Sequence, residues 1–400
     1  MSPRAKEEKE SKSDSPFSVL ARWFTEAEQY ITKPRDAIRH LDGIASEFAT
    51  TSRFRIHYLR SGSDQGEAVV FLHGNGASST WWEETMIVLP PAFRAIAPDL
   101  RGYGLSDRSA LIDATRGVQD WVDDLYALLD SLSVDRFHLV GHSLGGLTCW
   151  GVMADSRSSG RLRTVTVVAP GPPCGFGGVH GESGLPNNPD FAGSGGGLVH
   201  PRFVKLLAKR VRSGIDPFSP RAVMNRLFWK PPFRPAREED FLTAMFQMHL
   251  GPNQYPGDSV PLPHWPGVAP GRFGPVNAIS PKYNCDLART VLAAKEKPPV
   301  LFVIGADDLP ISDNSLSDPG MQGKLGLRPG WPGEAVFPPQ PLRSQLNAFL
   351  RDYEQCGGRV TRAEFPDCGH SPFVEKPLRF QELLAGLIAT AAALRGKFLD

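Results

Sequence analysis

Residues 136–146 read RFHLVGHSLGG and carry the strongest structural signal in the chain. The apolar run that ends at Val140 is typical of a buried strand, and a helix-forming pattern starts directly after Ser143. Glycines at 141 and 145 leave room for a sharp turn between the two elements. This strand–turn–helix pattern predicts a nucleophile elbow. Because a serine hydroxyl is a poor nucleophile near neutral pH, it then needs a base and an anion-stabilising pocket.

Short apolar runs alternate with helical patterns on both sides of this elbow. Such alternation predicts an α/β fold with a doubly wound, mostly parallel sheet. Alternating residues at 54–59 predict opening strands before it. The buried strands are expected at residues 68–72, 95–97, 137–140, 165–169, 300–304 and 360–365, and the helices at residues 79–89, 118–132, 143–154, 341–353 and 377–397.

The alternation stops between residues 171 and 283, a stretch rich in Gly, Pro and aromatic residues. We interpret it as an inserted cap over the carboxyl ends of the strands, where open α/β sheets bind ligands. The chain before residue 48 predicts a disordered tail followed by an amphipathic helix at residues 17–31. The expected domains are an N-terminal extension (1–47), a first core part (48–170), the cap (171–283) and a second core part (284–400).

Composition and charge limit the choice of partners. There are 44 Lys and Arg residues against 43 Asp and Glu, a formal net charge of +1, which argues against nucleic acid and favours a small neutral or apolar ligand. The five scattered cysteines lack metal-site spacing, and phosphate and dinucleotide loops are missing from the sequence, so we expect no metal and no cofactor. Without a signal-like segment or a run of about 18 apolar residues, we expect a cytoplasmic protein with no stable membrane insertion.

Two further side chains can complete a site with Ser143. Asp308 follows the expected strand at 300–304, and His370 follows the one at 360–365, so the chain order is Ser, Asp, His. This order and the elbow resemble the α/β-hydrolase superfamily, in particular its capped, esterase-like serine hydrolases. The segments PDLRGYGLS (98–106) and HSPFVEKP (370–377) are similar to two further motifs of that superfamily. The long Gly- and Pro-rich link after Asp308 departs from it and is expected either to help close the site or to contact a neighbouring subunit.

The resemblance implies a role for each of these residues. His370 would act as the general base and Asp308 would orient it, with Asp307 left open as the alternative acid. The backbone N–H groups of Asn75 and Leu144 would form an oxyanion hole, since HGNG at 73–76 resembles the oxyanion loop of the superfamily. The loop residue Gly74 and the nearby side chains Trp81 and Trp82 are expected to contact substrate.

A serine nucleophile, where some capped relatives use an aspartate, implies an acyl-enzyme intermediate. The expected activity is hydrolysis of a carboxylic ester, lactone or thioester of a moderately hydrophobic small molecule. Two alternatives stay open: a C–C bond hydrolase that opens ring-cleavage diketones, and a receptor-like ligand-binding member with slow or no turnover.

Overall fold

The structure, a computed structural model, describes residues 37–396, with side-chain burial as far as residue 391. The tail and the amphipathic helix expected before residue 37 lie outside these described residues. Eight strands form the main sheet. They are β1 (Ala45–Thr50), β2 (Arg55–Gly62), β3 (Glu67–Leu72), β4 (Phe93–Pro98), β5 (Phe137–His142), β6 (Leu162–Val168), β7 (Val300–Gly305) and β8 (Val360–Phe365).

The strand order is β1-β2-β4-β3-β5-β6-β7-β8. The first three pair antiparallel, and β4, β3, β5, β6, β7 and β8 run parallel to one another. All six residues of β5 and of β7 are buried, as expected for central strands covered on both faces. The prediction of a mostly parallel α/β sheet is confirmed.

Helices follow the strands as the alternation predicts. The longer ones are α1 (Gln119–Ser131), α2 (Leu144–Ala154), α3 (Pro201–Ala208), α4 (Pro220–Leu227), α5 (Glu238–Phe246), α6 (Leu287–Ala293), α7 (Leu342–Gln355) and α8 (Pro377–Gly396). Short helical turns lie at Ser79–Trp82, Glu83–Met86, Ala114–Arg116, Ser156–Ser158, Gly196–Leu198, Pro275–Ala278, Pro281–Asn284, Pro319–Lys324 and Pro372–Glu375. Within the described part of the chain, no helix has both the length and the apolar character that crossing a bilayer requires.

Residues 171–283, which we call the inserted segment, contain α3, α4 and α5 between β6 and β7. Two short antiparallel pairs add to them, Val179–His180 with Leu185–Pro186 and Ser259–Pro261 with Val268–Pro270. Some of the aromatic residues of this segment form a hydrophobic core, since Phe241 and Trp229 are almost completely buried. Helix α4 was not singled out by the sequence analysis.

The long link after Asp308 packs against the inserted segment. Phe337 is fully buried, and its ring meets the edge of the Trp265 ring at 4.8 Å. The Gln340 side chain donates to the Gly175 carbonyl at 3.0 Å and accepts from the Gly177 N–H at 2.7 Å. The link therefore packs against the inserted segment and stabilises it.

The link also buries a carboxyl group. Asp318 caps the short helix Pro319–Lys324, and its Oδ2 atom accepts from the Met321 N–H at 2.8 Å. Its Oδ1 atom is buried without a hydrogen-bond partner among the described residues. Burial raises the pKa of Asp318 to about 7.

Candidate active site

Five of the six parallel strands are followed by loops that contribute to the site, and these loops share one edge of the sheet because the carboxyl ends of the strands all lie there. Leu72 of β3 pairs with Gly141 of β5, so the loops that start after these residues run side by side. The other loops at this edge follow β4, β7 and β8. The sheet therefore gathers the sequence-predicted site residues from positions far apart in the chain.

Ser143 stands on a strained turn between β5 and α2. Its φ of 54° and ψ of −111° lie in a region that side chains rarely adopt. Its N–H donates to the Val168 carbonyl at 2.9 Å, and its carbonyl accepts from the Leu147 N–H at 3.0 Å. A methyl group at Gly145 would lie within 2.6 Å of the carbonyl oxygens of Leu72 and His73, so only glycine fits there. This is the geometry of a nucleophile elbow.

Asp308 and His370 form a buried pair behind the elbow. His370 Nδ1 lies 2.9 Å from Asp308 Oδ2, and the two residues are only 1% and 5% exposed. A carboxylate can only accept, so Nδ1 carries the proton and Nε2 is left with a free lone pair. The second carboxylate oxygen, Oδ1, accepts from the Ile311 N–H at 2.8 Å. The Asp308 side chain is thus held on both sides.

Asp307 has a different environment from its neighbour. Its side chain is 41% exposed, and its Oδ2 atom lies 2.9 Å from the Nζ atom of Lys230. Only the Asp308 carboxylate is hydrogen-bonded to the imidazole of His370 within the described residues. The geometry therefore separates the two candidate acids that the spacing left open.

His142 links the elbow to the loop that carries His370. Its Nε2–H donates to the His370 carbonyl at 2.9 Å, and the two rings are 4.7 Å apart. Burial, followed by the nearby His370 charge, holds the pKa of His142 well below 6.5, so this ring stays neutral. Across residues 37–396, no hydrogen bond joins the Ser143 hydroxyl to His370. Such bonds are often long in unliganded enzymes and tighten when substrate binds.

The oxyanion loop lies directly beside the elbow. A methyl group at Gly74 would come within 3.1 Å of Ser143 Cβ and 2.8 Å of His142 Nδ1. Within the described chain, the backbone N–H groups of Asn75 and Leu144 have no hydrogen-bond acceptor. In otherwise buried stretches, Asn75 and Ser143 are both partly exposed. Two free donors therefore border the partly exposed Ser143, which is the arrangement that an oxyanion hole requires.

Two buried tyrosines hold the Asn75 side chain, and the sequence analysis missed both. The Tyr103 hydroxyl, from the loop after β4, donates to Asn75 Oδ1 at 2.9 Å. Burial raises the pKa of Tyr255, from the inserted segment, while a hydrogen bond from the Asn75 side chain opposes that rise. Tyr103 lies in the PDLRGYGLS segment (98–106), but that motif did not indicate a contact with Asn75, and Tyr255 lies in none of the motifs of the sequence analysis. Their role depends on contacts that only the folded chain makes.

The loop after β4 also fixes the start of the oxyanion loop. The Leu100 N–H donates to His73 Nε2 at 3.0 Å, and His73 Nδ1 donates to the Gly74 carbonyl at 2.8 Å. Nearby, Asp99 Oδ2 lies 2.7 Å from His57 Nδ1 in the core. Although burial alone raises its pKa, the hydrogen bond and charge of His57 hold the Asp99 carboxyl below its usual pKa. These buried contacts keep the oxyanion loop in place.

Apolar side chains of the inserted segment lie next to residues of the candidate site. The Phe228 ring lies 6.1 Å from the His370 ring. The nearest atoms to a methyl group built at Gly76 are the tips of Phe228 and Met245, both at 3.4 Å. Of the two tryptophans expected to contact substrate, Trp81 meets the Phe228 ring edge-on at 5.4 Å.

Trp82 lies behind the site. It is fully buried and stacks on Phe373 at 4.1 Å, with Phe71 and Phe380 as further neighbours. The structure therefore places the Trp82 ring in the hydrophobic core and away from the surface at the elbow. Trp81 is also buried, at 2% exposure, and stacks on Phe241 at 4.8 Å, so the two tryptophans differ in their neighbours and not in their exposure.

Comparison with known proteins agrees with this architecture. Residues 67–193 match the family described as the alpha/beta hydrolase fold, a range that holds Asn75 and Ser143 and ends before Asp308 and His370. AB hydrolase superfamily protein YfhM of Bacillus subtilis is 32% identical over 111 residues, covering 28% of this chain and 38% of that protein. The 2-hydroxy-6-oxo-6-phenylhexa-2,4-dienoate hydrolase of Burkholderia cepacia is 37% identical over 99 residues, which cover 24% of this chain and 33% of that protein. The chain thus spans about a third of the length of these relatives.

A solved structure extends the likeness over most of the chain. A thermophilic esterase from Thermogutta terrifontis aligns with a TM-score of 0.51 over 87% of this chain and 99% of that chain, at 18% identity. Identity at this level shows a shared fold. The mostly parallel eight-stranded sheet and the family match over residues 67–193 together show that the chain has the α/β-hydrolase fold.

Proposed function

We propose that this protein is a cofactor-free serine hydrolase of carboxylic-ester type, with Ser143 as nucleophile, His370 as general base and Asp308 as its orienting acid. The observation that carries the proposal is the combination of a strained, partly exposed serine with a buried imidazole–carboxylate pair at the same edge of the sheet. Backbone strain at a non-glycine residue is retained chiefly where function needs it.

The mechanism follows from the protonation of His370, which carries its proton on Nδ1 and has a free lone pair on Nε2. His370 Nε2 takes the Ser143 proton as the hydroxyl oxygen attacks the ester carbonyl, and the resulting oxyanion accepts from the Asn75 and Leu144 N–H groups. The imidazolium then protonates the leaving alcohol, which leaves an acyl-enzyme. Water, deprotonated by the same imidazole, attacks that ester, and the acid product leaves with Ser143 restored.

The substrate is proposed to carry an apolar acyl or alcohol group. Phe228 and Met245 reach the oxyanion loop from the inserted segment, and both present apolar atoms to it. We propose that residues 171–283 form the cap of this hydrolase. An apolar wall next to the base excludes water from the reacting groups and strengthens their electrostatic interactions.

A fluorophosphonate probe and a series of p-nitrophenyl esters test the proposal. We expect covalent labelling at Ser143 and turnover that rises from acetyl to longer acyl chains, with both lost in Ser143→Ala. Phe228→Ala should flatten the chain-length preference. If the folded protein is neither labelled nor active on any ester, the receptor-like alternative is favoured.

Hydrolysis of a C–C bond in a vinylogous diketo acid is the second candidate. It is supported by the 37% identity to a dienoate hydrolase over 99 residues. The two reactions share the proposed triad, so turnover of the diketo acid and of aryl esters should be compared on one preparation. A higher kcat/KM for the diketo acid would replace the ester proposal.

A further inference from the structure

Lys230 of the inserted segment joins the two loops that carry the proposed acid and base. Its Nζ atom lies 2.9 Å from Asp307 Oδ2 and 2.8 Å from Asp367 Oδ1. Asp307 directly precedes Asp308, and Asp367 lies three residues before His370. The Lys230 amine donates hydrogen bonds to both carboxylates, and these bonds, with the one to Asp367 first, raise the pKa of Lys230, so the amine stays charged. One cation therefore neutralises a carboxylate on each loop.

The backbone at the same position makes a second connection. The Lys230 N–H donates to Glu375 Oε2 at 2.9 Å, and Glu375 Oε1 accepts from the Gly369 N–H at 2.8 Å. A methyl group at Gly369 would lie within 2.7 Å of the Lys230 nitrogen, so the two backbones are in direct contact. Gly369 is the residue before His370. The inserted segment thus rests on the base loop through both main chain and side chain.

Resting on the function proposed above, we propose that Lys230 is a positioning residue, which keeps Asp308 and His370 aligned by bridging their loops. Without its charge, the carboxylates of Asp307 and Asp367 repel each other across the gap between the loops. A single exposed ion pair contributes little to stability. Lys230, however, contacts two carboxylates, and its own backbone N–H is hydrogen-bonded to Glu375. The bridge links the inserted segment to both loops of the proposed acid–base pair.

The test compares three variants on an ester that the wild type turns over. Lys230→Met keeps the alkyl stem and removes the charge, and we expect kcat to fall about fivefold with KM unchanged. Lys230→Arg should recover most of the activity. The matched control is Lys376→Met, since Lys376 lies 3.9 Å from Asp367 on the base side and does not bridge to the acid loop. It should keep wild-type kcat.

Salt gives a readout that a purely structural role would not move. At about 1 M salt the Debye length falls to about 3 Å, so wild-type kcat should drop towards that of Lys230→Met, and the variant itself should hardly respond. Equal kcat in wild type and Lys230→Met, or an equal loss in Lys376→Met, would overturn the inference. The inference would also be overturned if the loss of kcat in Lys230→Met were explained by a lowered melting temperature. Failure of the function itself looks different, because the wild type would then show no turnover and no labelling at Ser143.

Discussion

Replacing Asp308 by Asn should lower kcat by about 10⁴-fold, equivalent to about 5 kcal/mol of transition-state stabilisation. The structure supplies the reason. The Ile311 N–H holds one carboxylate oxygen at 2.8 Å, so an asparagine that keeps this contact turns its NH₂ group towards His370 Nδ1. An NH₂ group only donates, and the ring must then carry its proton on Nε2. In that tautomer the imidazole cannot accept the Ser143 proton. Flipping the amide instead places two donors against each other at Ile311.

Asp307→Asn is the matched control for this substitution. Its carboxylate is 41% exposed and contacts Lys230, so we expect less than a tenfold change in kcat. Initial rates on one p-nitrophenyl ester, with Ser143→Ala as the blank, measure both variants. Circular dichroism should show that both are folded. An Asp308→Asn enzyme that keeps more than a tenth of wild-type kcat, or an Asp307→Asn enzyme that loses as much, would refute the assignment of the acid.

Three further outcomes follow from individual contacts. Gly74→Ala should lower kcat at least tenfold, because the added methyl group would lie 3.1 Å from Ser143 Cβ, tighter than a packed site tolerates. An alanine variant with normal kcat would show that the oxyanion loop can move away. Tyr103→Phe removes the donor to Asn75 Oδ1, and an expected loss of about 1–2 kcal/mol lowers kcat by roughly tenfold. If its kcat is unchanged, that hydrogen bond does not position the loop. Asp318 has a pKa of about 7 in the folded protein, against an ordinary value of 3.8. Its contribution to the free energy of unfolding is therefore complete below about pH 4 and is lost as the pH rises through 7. The total loss is up to about 4 kcal/mol. Urea unfolding at pH 5 and pH 8 should show the part of this loss that lies above pH 5, about 3 kcal/mol, in wild type and a flatter profile in Asp318→Asn. Equal pH dependence in both proteins would contradict it.

The sheet could be predicted because its signals are local. Runs such as Val300–Gly305 are apolar throughout and bounded by turn residues, which is typical of a strand buried on both faces. Helices in less regular stretches of the sequence were harder to predict. The helix expected at residues 79–89 is two short turns, Ser79–Trp82 and Glu83–Met86. Helix α4 starts with Pro at its first turn and was not singled out in a segment dominated by Gly and Pro.

The amino-acid sequence by itself determined the strand pattern and the turn at Ser143, since each is encoded over a few neighbouring positions. It also determined the order of the three proposed catalytic residues, because each follows a strand with its own local signal. The tertiary structure alone decided which carboxylate meets the imidazole, because Asp308 and His370 are 62 residues apart and only the parallel strands bring them together. It also decided that Phe228 faces the site while Trp82 is in the core. Such choices depend on the direction of a side chain among distant neighbours, and packing across the sheet sets that direction.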